Sequence, residues 1–419
     1  MIGYIEHREV LVWIELDKDV DWATLKYHVK DNQDTEREAM PDITFNGEYR
    51  TVKFTLTNLQ MNTVYDYDIY VDNEKVNVSV PTSFKTKELW EWRKPAPDFS
   101  FLIGSCFYIN DMTYDRPGNP YGQNPKILET MGDTPSDFML WLGDNLYLRE
   151  ADYSSPSGIA YRYSYNFKIP EIQKLRATRA NYAIWDDHDF GPDDSDGTFE
   201  LKETTLQAFK NYWGNKTFGE ADNAGTYHKF QWSDAEFFMM DDRYHRTPKQ
   251  LSDSVYGKPN PDKVMYGQKQ LTWLKNSLLT SHATFKFIVS GGQLFNALGT
   301  DETFLHYPAE CNDLLAFIEQ YKISGIIWLT GDRHFTELIT YKTPTMSVPM
   351  YEYTNSAVTA GISKPKGVEL NNPQRIAGSL LTENNFGRIS ISGANNKRQV
   401  TIETIDIDGK TRFNYVIKQ

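Results

Sequence analysis

The chain has 419 residues, 40% of them hydrophobic, enough for globular cores in roughly two or three domains. Its formal charge of −13, from 44 Lys and Arg against 57 Asp and Glu, excludes the broad basic surface that duplex nucleic-acid binding uses. Two cysteines, Cys106 and Cys311, exclude a disulfide scaffold, and no apolar run approaches the roughly 18 residues of a membrane-spanning helix.

The start, MIGYIEHREVLVWIEL, has neither a basic n-region nor an apolar h-region and runs straight into a strand pattern. The expected location is the cytoplasm, or outside it for a chain whose leader has been removed. Residues 1–88 show period-two or β-branched character at Val10–Ile14, Thr24–His28, Thr51–Leu56 and Val64–Tyr70, separated by turn residues. The stretch TLTNLQMNTVYDYDIYV resembles the loop and Tyr-rich strand of fibronectin type III domains, so a small β-sandwich is expected here. Nothing in it points to chemistry. The run KELWEWRKPAP (87–97) reads as a linker, bounded at 89–98, to a second domain, 99–419.

In that domain apolar strands alternate with helices. Phe99–Ile103 ends at Gly104-Ser105-Cys106, and Asp137–Leu142 at Gly143-Asp144-Asn145. Tyr182–Trp185 ends at Asp186-Asp187-His188-Asp189, Phe285–Val289 at Ser290-Gly291-Gly292, and Ile326–Leu329 at Gly331-Asp332-Arg333-His334. Helices are predicted at Lys126–Met131, Glu171–Ala180, Glu200–Tyr212, Gln268–Leu279 and Asp313–Gln320, and a hairpin at Tyr227–Gln231 and Glu236–Met240. Three strands close the chain, near Arg388–Ser392, Val400–Thr404 and Arg412–Ile417. Thr247–Lys263, rich in Pro, Ser and Asp, reads as a loop over a cleft. The architecture expected is α/β, with two sheets.

Carboxylates crowded where buried strands end raise the folding free energy unless something neutralises them, and a bound cation is the simplest means. Ligands in α/β sheets collect beyond the carboxyl ends of strands. Aspartate oxygens suit Ca²⁺, Mg²⁺ or Mn²⁺, whereas thiolate, phenolate and imidazole suit a transition metal. Such a mixed set implies two unlike ions sharing a carboxylate, an arrangement suited to in-line displacement at phosphorus.

The segments IGSC (103–106), WLGDNLY (141–147), YAIWDDHDFGPDDSD (182–196), MDDRYHR (240–246) and WLTGDRHF (328–335) resemble the PhoD-like alkaline phosphatases and phosphodiesterases, within the calcineurin-like metallophosphoesterases. The resemblance extends over nearly the whole chain. It implies a two-sheet sandwich flanked by helices, ferric iron with calcium, and Mg²⁺, Mn²⁺ or Zn²⁺ in some members. By position, Cys106 and Tyr147 resemble the iron ligands, Asp144 the bridging carboxylate, and Asp332 with His334 the closing pair. Asp187 stands where the wider superfamily has a ligand Asn, and His188 then faces the leaving group or a phosphate oxygen. Asp186 is assigned to ordering the turn. Asn296 lies where the superfamily often supplies another ligand, in a block that matches weakly. Family members are commonly exported, which favours a periplasmic or secreted mature form.

The expected reaction is attack of a metal-bound hydroxide on the phosphorus of a mono- or diester (phospholipase-D-like in the latter case), with His188 donating to the leaving alkoxide. Arg243 and Arg246 are the candidates to hold phosphate oxygens in a fork, with Asn145 beside them; Arg243 pairing instead with Asp241 or Asp242 is the alternative. The substrates expected are small phosphate esters, including sugar- or lipid-linked diesters, with Tyr108, Tyr114, Tyr153, Tyr161 and Tyr163 as stacking surfaces or ordinary loop packing. Asp193, Asp194 and Asp196 read as turn and N-cap residues. The competing reading is a non-catalytic surface or glycan-binding protein on a decayed phosphoesterase scaffold.

Overall fold

The computed structural model describes residues 1–118, 120–122, 124–298, 303–343, 346 and 349–419. Its centre is a pair of sheets. The ten-stranded sheet runs Thr411–Lys418, Gln399–Asp406, Asn385–Ser392, Phe99–Gly104, Phe138–Leu142, Ala180–Ile184, Ile2–Ile5, Val10–Leu16, Tyr49–Leu56, Pro41–Asn46. The six-stranded sheet runs His228–Trp232, Ala235–Met239, Phe285–Val289, Ile326–Thr330, Met350–Thr354, Glu337–Tyr341.

The middle strands of each sheet are parallel. Phe138–Leu142, Ala180–Ile184, Phe285–Val289 and Ile326–Thr330 are buried along their whole length, as strands covered on both faces must be. Aromatic rings fill the space between the sheets. Phe101 meets Phe237 and Phe287 edge-on at 5.2 and 5.4 Å, and Tyr182 stacks on Phe230 at 3.7 Å. Helices Gln268–Thr280 and Pro308–Gln320 share a second apolar cluster with Ile288 and Trp328 of the six-stranded sheet.

The first 88 residues are not a free-standing sandwich. Four of their strands extend the ten-stranded sheet, with Ile2 parallel to Ala180, and only the remainder form a separate five-stranded sheet around Ala23–Val29 and Val64–Val71. Leu25, Tyr67 and Phe84 belong to the same buried cluster as Phe101 and Trp141. Residues 89–98 are strapped to the body: Ser233 Oγ donates to Pro97 O at 2.8 Å. Helix Pro156–Phe167, absent from the sequence expectations, starts at Ser155, whose hydroxyl accepts from the Gly158 amide at 3.2 Å. The segment expected as one helix at Glu171–Ala180 ends at Ala177, because Ala180 is already in a strand. Among the described residues no helix is long and apolar enough to cross a membrane.

Candidate metal centre

The parallel strands of both sheets end along one edge, where Gly331 meets the other sheet. A Cβ at Gly331 would fall 2.6 Å from the Ser105 side chain, so only glycine lets the strand ends approach this closely. Cys106, Asp144, Asp332 and His334 follow those strands, and all four have left-handed backbone, with φ of 55°, 50°, 66° and 56°. Each such residue costs about 1–3 kcal/mol, and this kind of strain gathers at functional sites.

Three groups of side chains converge closely enough for each to hold one ion. They are Cys106, Asp144 and His334; Asp144, Asp187 and His188; and Asp144, Asp186, Asp187 and Asp332, with the ligand atoms of each within 4.8 Å of one another. Asp144 is common to all three. The Tyr147 hydroxyl lies 3.2 Å from Asp144 Oδ2 and 3.1 Å from His334 Nε2, which adds a phenol to the first group. Cys106 Sγ is 3.4 Å from Asp144 Oδ2 and accepts from Ser356 Oγ at 2.9 Å. The His334 ring is fixed by the Gly361 carbonyl. Asp187 Oδ2 accepts from the Asp194 amide at 2.7 Å.

The site is electrostatically unbalanced without cations. Burial, then the charge of Asp187, pushes the Asp144 carboxyl well above its ordinary range. Burial opposes the Cys106 thiolate, but the His334 imidazolium together with hydrogen bonds from Ser105 and Ser356 outweighs it and holds the thiol below its usual value. His334 is pushed up to about 9: burial opposes its charge, but Cys106, the Gly361 carbonyl and Asp332 together outweigh it. Asp186 Oδ2 and Asp187 Oδ1 are buried without a hydrogen-bond donor. Orphaned carboxylate oxygens beside a thiol, a phenol and an imidazole are a donor set that fits two unlike cations.

The remaining predicted residues are spread between the site and its supports. His188 stacks on Tyr147 with ring centroids 4.0 Å apart, and its Nε2 is 3.3 Å from Asp193 Oδ1. Burial lowers its pKa. Asn145 turns inward, its amide donating to Ile184 O at 2.7 Å and Asp189 Oδ2 at 2.6 Å. Arg243 is buried, with Nε 2.5 Å from Asp186 Oδ1, and Arg246 Nε donates to Tyr307 at 2.7 Å. The Arg243 guanidinium grips Asp186 while its backbone amide donates to Asp241 Oδ1 at 3.0 Å, and Arg246 is anchored through Nε. Arg333 is likewise engaged by Gln293 and Glu369, at 2.8 and 2.9 Å. Asn296 bonds to Gln293 and Glu369 at 3.0 and 2.7 Å.

Sequence reasoning gave Asp186 only a turn; its side chain stands among the ligands. Asp193, read as a turn residue, reaches His188. Beside Asp332 and His334 opens a cleft of about 480 Å³, walled by Lys249, Lys364 and Lys366 among others. Lys249 comes from the Thr247–Lys263 loop and pairs with Asp194. A second cavity, about 530 Å³, lies at the opposite ends of the strands, near Phe99, Asp137 and Arg179.

A family model described as PhoD-like phosphatase matches residues 119–402, more than half of the chain. The chain belongs to the PhoD-like phosphatase family. It is 22% identical over 322 residues to alkaline phosphatase D of Bacillus subtilis (strain 168), a match taking in 66% of this chain and 52% of that protein. The chain thus spans about half the length of the curated relative it matches. Among solved structures it is similar to one titled as the structure of PhoD, with a TM-score of 0.77 and 16% identity over 100% of this chain and 90% of the other. It is also similar to a purple acid phosphatase from yellow lupin seeds, with a TM-score of 0.69 and 12% identity over 100% and 73% of the two chains. These two likenesses, at such low identity, establish the fold.

Proposed function

We propose that the chain is a metal-dependent phosphoesterase that hydrolyses phosphate mono- and diesters. The observation that carries this reading is the sharing of Asp144 by ligand groups of different chemistry at one strand-end edge. Cys106, Tyr147 and His334, with Asp144, would hold ferric iron; Asp186, Asp187 and Asp332, with the same Asp144, would hold calcium or another hard divalent ion. Bound there, the cations would lower the pKa of water and draw charge from the phosphoryl oxygens.

This chain's own residues set the geometry. Tyr147 and His334 hold each other in place across 3.1 Å. His188, stacked on Tyr147, presents Nε2 beside Asp193 and is the group placed to hand a proton to the leaving alkoxide. Arg243 acts through Asp186, opposing the burial that pushes its carboxyl well above the ordinary range and aiming it at the ligand group. The cleft of about 480 Å³ leaves room for the second ester group of a diester, sugar- or lipid-linked substrates included. We place the protein outside the cytoplasm by analogy with exported family members.

The test is hydrolysis of p-nitrophenyl phosphate and of bis-p-nitrophenyl phosphate, with and without a chelator, alongside elemental analysis. Turnover of either ester that disappears on chelation supports the reading. Metal-free protein after purification without chelator would favour the non-catalytic alternative.

A further inference from the structure

Several arginines near the ligand groups or near Arg149 are committed to protein partners. Arg243 holds Asp186, Arg333 holds Glu369, and Arg162 pairs with Asp115 and Asp152 at 2.7 and 2.8 Å. Arg149 differs. It follows Tyr147 by two residues and is half-buried. Its guanidinium carbon lies 4.5 Å from the Tyr108 ring centre, 5.5 Å from that of Tyr147 and 5.7 Å from that of Tyr121. Three aromatic faces thus hold a cation over the ring of a candidate iron ligand.

The surroundings fix this position without using up the charge. The Arg149 amide donates to Asp152 Oδ2 at 2.8 Å, which anchors the backbone. The Tyr108 hydroxyl donates to Asp115, itself locked by Arg162, so the Tyr108 ring is a rigid platform. Among the described residues the guanidinium has one hydrogen-bond partner, the Tyr108 hydroxyl, 3.4 Å from Nε. Among the described residues no carboxylate lies within ion-pair distance of Arg149, and its neighbour Glu150 pairs with Arg116 instead. Its terminal nitrogens are not among the atoms that are both buried and unpartnered, and the side chain is half-buried rather than enclosed. A planar cation with free N–H donors, held rigidly beside Tyr147, His188 and His334, is built to take an anion's oxygens in a fork.

We propose that Arg149 is the residue that holds the non-bridging oxygens of the substrate's phosphoryl group. This rests on the phosphoesterase reading above and assigns its substrate contact to a residue outside MDDRYHR. Tyr121, 41% exposed with its hydroxyl 3.1 Å from His334 Nδ1, links the Arg149 cluster to the His334 side of the candidate metal centre.

The experiment uses the metal-loaded full chain, R149Q and R149K, with inorganic phosphate and bis-p-nitrophenyl phosphate as probes. Phosphate affinity is read by calorimetry and by competitive inhibition, and KM and kcat separately. R149Q should weaken phosphate binding and raise KM by roughly ten- to a hundredfold, the loss of a charged hydrogen bond, with kcat moved far less. R149K should recover part of the affinity. Metal content and melting temperature should match the parent in both variants, which a packing role for Arg149 would not allow. Unchanged phosphate affinity and KM in R149Q overturn the proposal while leaving the phosphoesterase reading intact. Absence of ester turnover in the parent overturns that reading instead, and calorimetry with phosphate still decides whether Arg149 binds the anion.

Discussion

Arg243 Nε stands 2.5 Å from Asp186 Oδ1, and both side chains are shut away from solvent. Asp186 Oδ2 has no hydrogen-bond donor and belongs to a ligand group with Asp144, Asp187 and Asp332. The pair joins the MDDRYHR segment to the WDDHD segment. One carboxylate oxygen is fixed by a guanidinium while the other is left for a cation.

Removing one member of a buried ion pair leaves the other unpaired, at about 3–5 kcal/mol. In chelator-treated protein, R243Q should therefore lose stability of about that size. The double variant R243Q/D186N should recover much of it. Urea denaturation of the four proteins measures the coupling, and additive losses would mean that the two side chains act independently.

Gly291 is a steric prerequisite for Asp186. A Cβ there would lie 2.4 Å from Asp186 Cγ and 2.7 Å from its Oδ1. G291A should push the carboxylate out of the ligand group, lowering bound metal and reducing kcat/KM roughly tenfold or more, since misplacing a catalytic group by about 1 Å has effects of this order. Metal analysis and steady-state kinetics check it.

Much of this site was legible in the sequence. Four apolar runs, each ending in Cys, Asp or Asp-His, placed their polar residues at one sheet edge, and Cys106, Asp144, Tyr147, Asp187 and His334 do meet there. What stayed hidden depends on partners distant in the chain. The strand pattern at the start of the chain cannot say that Ile2 pairs with Ala180, so the shared sheet was invisible. Helix Pro156–Phe167 has no apolar stripe, because it buries Arg162, Ser164 and Asn166 as well as Ile159 and Phe167. Arg243 in MDDRYHR was a candidate to hold substrate, yet its guanidinium is committed to Asp186, while Arg149 has no motif to announce it.

Stability should also respond to pH through Glu352. This residue accepts the Leu294 and Phe295 amides at 2.6 and 2.8 Å, fixing the segment after strand Phe285–Val289. Burial pushes its carboxyl up to about 7 from an ordinary 4.5. Between those values the folded state binds the extra proton, so its contribution to stability is full below about 4.5 and is lost as pH rises through about 7. E352Q cannot titrate. Denaturation midpoints at a series of pH values should fall less steeply in E352Q than in the parent over this window, by about 1–3 kcal/mol in total. Parallel profiles would contradict the assignment.

The most direct measurement is metal content and ester hydrolysis in the parent, D144A and D187A, purified side by side without chelator. Because Asp144 belongs to every ligand group, D144A should lose both kinds of ion and fall to background turnover. D187A should lose the hard divalent ion while keeping iron on Cys106, Tyr147 and His334. If D144A instead keeps its metals and hydrolyses p-nitrophenyl phosphate at the parent rate, Asp144 does not bridge a metal centre and the site described here is not where the chemistry happens.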